Sequence, residues 1–168
     1  DKASIDDMYN DLLNLGRIFG VEEKANSLVD GYRLEISKET KNLKSENPLR
    51  VFVYDSGEDA PFTAGLYAMP TALIEAAGGT NIMDDFKKSW GTVTWEEVID
   101  RNPEVIVIVN YGNVTAEQKR EFMMSNPAFA DLDAVKNDRF VTLEYVEATP
   151  GPRNINAVKT LLKAFWGS

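Results

Sequence analysis

An acidic loop, Asp55-Ser56-Gly57-Glu58-Asp59, follows directly on the apolar run Val51 to Tyr54. Carboxylates so placed could act as general acid and base, hold a hard cation, hydrogen-bond a ligand, or simply shape a turn. Their spacing lacks the regular ligand positions of a calcium loop. Tyr54, Phe62 and Tyr67 flank the loop, and Tyr111, Tyr145 and Glu147 follow two later apolar runs. Trp90 stands among polar residues, where an indole is costly unless it is packed or binds something. Arg153 follows Pro150-Gly151-Pro152 at the start of a helical stretch. A guanidinium is poorly placed there relative to the helix dipole, and its fork of donors suits an anionic group. A bridge to a nearby acid such as Glu147 is the competing reading.

The chain has no histidine and no cysteine. That removes the commonest general base, the usual zinc and haem ligands, thiol catalysis and disulfides together. No Gly-x-Ser-x-Gly elbow, phosphate loop or dinucleotide fingerprint is present. An enzyme built on this sequence would depend on carboxylates, lysine or tyrosine. The net charge of −9, with 18 basic residues scattered among 27 acids, argues against nucleic acid. No apolar run approaches the ~20 residues of a membrane span. The chain opens on Asp1-Lys2-Ala3 without an apolar leader, which reads as a processed or truncated start.

Two helices are expected to come first. Ser4 caps one that runs to Phe19, with Asp6 and Asp7 in its first turn. The second runs from about Glu22 to Leu43, and Asn47-Pro48 closes the helical region. From Arg50 strands and helices alternate. The expected strands are Val51–Tyr54, Glu104–Val109 and Arg139–Leu143. The expected helices are Thr63–Ala77 (kinked by Pro70, or beginning there), one capped by Thr94 that ends at Arg101, one capped by Thr115 that ends at Ser125, and Pro152–Trp166. A helical turn is expected over Phe129–Val135. Thr115 also completes the glycosylation sequon Asn113-Val114-Thr115, but its capping role is the better reading. The succession predicts an α/β fold, a three-layer lobe with a mostly parallel central sheet flanked by helices and preceded by a long helix. Ligands then belong beyond the carboxyl ends of the strands.

The order of motifs resembles the C-terminal lobe of class III periplasmic substrate-binding proteins of ABC importers for ferric siderophores and vitamin B12. It rests on Arg50-Val51-Phe52-Val53, Pro61-Phe62-Thr63-Ala64-Gly65, Gly78-Gly79-Thr80-Asn81-Ile82, Trp90, Val93-Thr94-Trp95-Glu96-Glu97-Val98, Asn102-Pro103-Glu104, Ala134-Val135-Lys136-Asn137 and Pro150-Gly151-Pro152-Arg153. The resemblance implies a helical segment over 1–47 that includes an interlobe spine helix, a C-terminal α/β lobe over 48–168, and an N-terminal lobe absent from the chain. It implies a binding protein rather than an enzyme, with no cofactor and no resident metal. Its partners would be an intact iron-siderophore or related metal chelate and an ABC permease. Its location would be periplasmic or extracellular, with a lipoprotein anchor in some members.

On that resemblance Trp90 lines the ligand cleft, and Glu96 is the surface acid that pairs with permease arginines. The expected ligand-binding residues are Trp90, Arg153, Asp55, Glu58, Phe62, Tyr67, Tyr145 and Glu147. Two other functions compete: a small hydrolase or transferase working through Asp55, Glu58 and Glu147, and a stand-alone interaction module.

Overall fold

The computed structural model describes residues 2–41 and 47–167. It opens with α1 (Ile5–Ile18) and α2 (Glu22–Thr40). The Ser4 hydroxyl accepts from the Asp7 amide, so the expected cap is in place. Leu43, the expected end of the second helix, lies outside the described residues. The rest follows as β1 (Leu49–Tyr54), β2 (Phe62–Ala64), α3 (Met69–Ala76), β3 (Gly79–Asn81), β4 (Trp90–Thr92), α4 (Trp95–Arg101), β5 (Val105–Asn110), α5 (Ala116–Ser125), α6 (Asp133–Lys136), β6 (Phe140–Glu144), α7 (Tyr145–Ala148) and α8 (Asn154–Trp166). Among the described residues no helix is long and apolar enough to cross a membrane.

The central sheet has the order β3-β1-β5-β6, and every pair in it is parallel. Side chains alternate across β1 and β5, which explains their near-continuous apolar character. Val51, Val53, Val105, Val107 and Val109 pack with Leu73 and Ile74 of α3 and Val158, Leu161 and Phe165 of α8. Phe52, Tyr54, Ile106 and Ile108 pack on the other side with Val98 of α4, Met123 of α5, and Ala134 and Val135 of α6. The result is the expected helix–sheet–helix lobe. The α1–α2 hairpin joins it through a smaller cluster of Met8, Tyr9, Val29 and Ile155, and Lys159 of α8 pairs with Glu35 of α2. Arg50 ties the start of β1 to the next crossover. Its side chain donates to the Asn102 carbonyl at 2.9 Å and to Asp133 at 3.3 Å.

The chain departs from expectation at several places, among them β3, a strand beyond those expected. No helix begins at Thr63. Phe62–Ala64 is a strand, and α3 begins only at Met69, with Pro70 in its first turn where the missing amide costs nothing. Trp90 is not in a loop. It opens β4, which pairs antiparallel with β2 in a two-stranded ribbon. Tyr145 and Glu147 are not strand-end loop residues but belong to the single turn α7, closed by a capping box in which Glu147 accepts from the Glu144 amide. The expected turn over Phe129–Val135 is a 3-10 turn, Pro127–Phe129, followed by α6.

Candidate functional site

The crossovers lead to opposite sides of the sheet from β1 and from β5. From β1 the chain crosses by α3 to β3 on one side. From β5 it crosses by α5 and α6 to β6 on the other. The carboxyl ends of β1 and β5 therefore open a crevice at the switch point, where ligands of open α/β sheets bind. Two cavities lie there. One, of about 170 Å³, is lined by Tyr54 to Glu58 from β1 and by Tyr111 to Val114 and Lys119 from the β5 side. The other, of about 260 Å³, is lined by Asp55, Phe62, Trp90, Tyr111, Tyr145 and Thr149, among others. Asp55 and Tyr111 belong to both.

The ribbon β2–β4 supplies one wall of the larger cavity. Ala64 faces Trp90 in the register, so Phe62 and Trp90 are diagonal neighbours on one face. Their rings stack at 6.0 Å and 11°. Three buried polar groups hold the ribbon against the sheet. The Thr63 hydroxyl donates to the Val53 carbonyl at 2.6 Å. Asn81 donates to the Ala64 carbonyl and to the Thr71 hydroxyl, both at 2.8 Å, and accepts from the Met83 amide. The Thr71 hydroxyl in turn donates to the Gly65 carbonyl at 2.7 Å. Gly65 must be glycine here, because a Cβ would stand 2.5 Å from the carbonyl oxygens of Phe86 and Lys88. The Pro61–Gly65 and Gly78–Ile82 motifs thus build one buried joint.

Tyr111 and Tyr145 supply the opposite wall, their rings stacked at 4.5 Å and 26°. Tyr145 is 47% exposed and opens α7. The α7–α8 connection beside it is fixed by the buried Asn154, which donates to the carbonyls of Glu147 and Thr149 and accepts from the Gly151 amide. Between the walls sits Asp55, only 8% exposed, its Oδ2 accepting from the Ser56 hydroxyl at 2.9 Å.

The expected residues therefore divide. Trp90, Phe62, Tyr145, Asp55 and Glu58 line the cavities. Tyr67, Glu147 and Arg153 line neither. Tyr67 is half-buried, its amide donating to the Lys88 carbonyl. Glu147 is used in the α7 cap. Arg153 sits exposed at the N-cap position of α8 and forms no ion pair with Glu147. Glu96 is exposed on α4 and forms no ion pair among the described residues, whereas Glu97 is held by Arg101 at 2.6 Å and Arg101 also grips Asp85. That pairing holds the Asp85 carboxyl below its ordinary range. Trp95 lines neither cavity. Its ring packs on Phe129 at 4.6 Å, and its indole N–H fixes the Glu58 carbonyl at 2.6 Å.

Lys119 is the residue that the sequence reading missed. It is 2% exposed, and its ammonium donates to the carbonyls of Val109 at 2.7 Å and Tyr111 at 3.0 Å. Burial pushes its pKa down, and the charge of Asp55 opposes that shift. The signal was present in the pattern: Ala116, Lys119 and Met123 form the inward stripe of α5, and a lysine on such a stripe needs partners. Among the described residues no group of three or more carboxylates could hold a metal ion.

Comparison with known proteins agrees with this architecture. The chain is 34% identical to a periplasmic binding protein from Veillonella parvula DSM 2008, whose crystal structure superposes with a TM-score of 0.89 over 99% of this chain and 58% of that one. A possible iron-binding, periplasmic solute-binding protein from Staphylococcus epidermidis ATCC 12228 is 27% identical, with a TM-score of 0.82 over 99% of this chain and 64% of that one. An uncharacterised ABC transporter substrate-binding lipoprotein, YvrC of Bacillus subtilis (strain 168), is 24% identical over 99% of this chain and 52% of its own length. The chain thus spans about half the length of that curated relative. The sequence model described as "Periplasmic binding protein" matches residues 1–147, and the chain belongs to that family.

Proposed function

We propose that this chain is the C-terminal lobe of a substrate-binding protein for an ABC importer, and that it holds an intact iron-siderophore or related metal chelate. The observation that carries this reading is the aromatic-walled crevice at the switch point, in a chain of this family. Two stacked ring pairs, Phe62–Trp90 and Tyr111–Tyr145, flank Asp55 at the open end of the sheet. Rings of that kind offer apolar area at low entropic cost, with polar groups set between them to fix orientation. The cavities are shallow because they belong to one wall. In this proposal a second lobe supplies the facing wall, α2 bridges the two as a stiff spine, and the protein works outside the cytoplasmic membrane, in some settings on a lipid anchor. Arg153, exposed four residues beyond Thr149 and without an ion pair among the described residues, is a donor for an anionic part of the chelate.

A carboxylate hydrolase finds less support. Asp55 and Glu58 share a cavity, but Glu147 is committed to a helix cap and lines neither. Tryptophan fluorescence tests the proposal. The protein with both lobes, titrated against ferric siderophores, haem and corrinoids, is expected to show saturable quenching by at least one, weakened in Trp90→Ala. Absence of quenching by every chelate overturns it.

A further inference from the structure

The larger cavity has a chemistry more specific than its place in a chelate-binding cleft requires. Four aromatic side chains line it, and Asp55 is the one charged residue among its lining. Asp55 Oδ2 is satisfied by Ser56, while among the described residues no partner is found for Oδ1. Lys119 is the one cation that lines either cavity, and its charge and that of Asp55 act on each other. It lines the neighbouring cavity, forms no ion pair with Asp55, and directs its protons at the Val109 and Tyr111 carbonyls. That neighbouring cavity adds the carboxylate of Glu58, so the crevice as a whole is net acidic. Ring faces and a largely desolvated carboxylate attract a cation and repel an anion. At about 260 Å³, between the two stacked ring pairs, the cavity has room for an alkylammonium arm of a larger chelate.

We infer that the cavity between Phe62–Trp90 and Tyr111–Tyr145 is a subsite for a cationic arm of the ligand, with Asp55 as its counter-ion. The inference rests on the chelate-binding reading and adds a charge class to it. It favours chelates with a free ammonium group over those whose periphery carries carboxylates.

A charge series on one ferric core tests it. The protein with both lobes is titrated with a linear ferric tris-hydroxamate bearing a terminal ammonium, with its N-acetylated form and with its N-succinylated form, alongside haem and a neutral corrinoid. The ammonium form is expected to bind about tenfold tighter than the acetylated one, and the succinylated form weakest of all. In Asp55→Asn the gap between ammonium and acetyl forms is expected to fall to within about twofold, as the ion-pair contribution is lost. Tyr145→Ala, at an exposed position that folding can spare, is expected to weaken the ammonium form selectively. Equal or tighter binding of the acetylated or succinylated complex, or a gap that survives Asp55→Asn, overturns the subsite and leaves the chelate reading standing. Preference for haem over all three hydroxamates does the same. No quenching by any chelate overturns the chelate reading and the subsite with it.

Discussion

The ammonium of Lys119 donates to the carbonyls of both Val109 and Tyr111, bridging the last turn of the sheet to the first residue of the cleft wall. An α5 side chain therefore sets where the backbone of Tyr111 stands, and through ring stacking where Tyr145 finds its partner. Lys119→Met keeps the length and apolar stem but strands two carbonyls that a single buried charge had satisfied. The expected cost is about 1 to 3 kcal/mol, read as a lower midpoint in urea. Amide exchange should rise over Tyr111–Val114 and remain unchanged over β1. Unchanged exchange at Tyr111–Val114 would mean that Lys119 only fills space.

Most of the fold could be read from the sequence, and the places where it could not share one cause. β1 and β5 carry near-continuous apolar runs, β6 alternates buried and exposed residues, and α1, α4 and α5 begin at the expected caps Ser4, Thr94 and Thr115. The strands β2, β3 and β4 are three residues each and carry Thr, Gly and Asn. Runs so short and polar give no alternating pattern. They are strands only because Thr63, Asn81 and Gly65 lock them to distant partners. Trp90 could be singled out by its type but not placed, since its stacking on Phe62 depends on that ribbon. Glu147 and Arg153 were attractive by position alone, and position could not show that a cap would occupy one and leave the other exposed.

Asn81 offers a direct test of the buried joint. Its side chain serves the Ala64 carbonyl, the Thr71 hydroxyl and the Met83 amide at once. Asn81→Leu retains volume and leaves those groups unpaired in a dry site. Destabilisation of about 2 to 4 kcal/mol is expected. Ala64 pairs with Trp90, so the near-UV circular dichroism of the tryptophans should weaken under conditions where the far-UV signal persists. Loss of stability below about 1 kcal/mol would show that water replaces the network.

Tyr54 predicts an alkaline transition. Burial pushes its pKa up from 10.0 to about 12, with Glu58 and then Asp55 adding to the shift. The folded protein thus holds this proton more tightly than the unfolded chain. Stability from this group is complete below pH 10 and is lost as pH rises through 12. Tyr54→Phe removes that slope, so wild type and variant should converge in stability between those values by an amount on the order of 2 kcal/mol. A tyrosinate titration should show one late ionising group missing in the variant, with Tyr9, also raised by burial, still present. Parallel stability curves across that range would contradict the assignment.

Glu96 carries the last prediction, because the structure separates it from its neighbour. Thr94 caps α4, and Arg101 one turn on captures Glu97 and Asp85 together. Glu97 is therefore committed to the lobe. Glu96 projects from the first turn with no ion-pair partner among the described residues, so its carboxylate could meet a basic group on another molecule. A lone surface pair contributes little, about 0 to 1 kcal/mol, so docking through Glu96 requires further contacts elsewhere, on the second lobe in the proposed protein. Within the proposed importer, Glu96→Ala should leave chelate affinity unchanged and lower transport several-fold, chiefly through a slower approach of charged surfaces. Glu97→Ala should instead loosen Arg101 and reduce stability with little effect on docking. If Glu96→Ala weakens chelate binding, the docking role is refuted; if Glu97→Ala alone impairs transport at unchanged stability, the two roles are reversed.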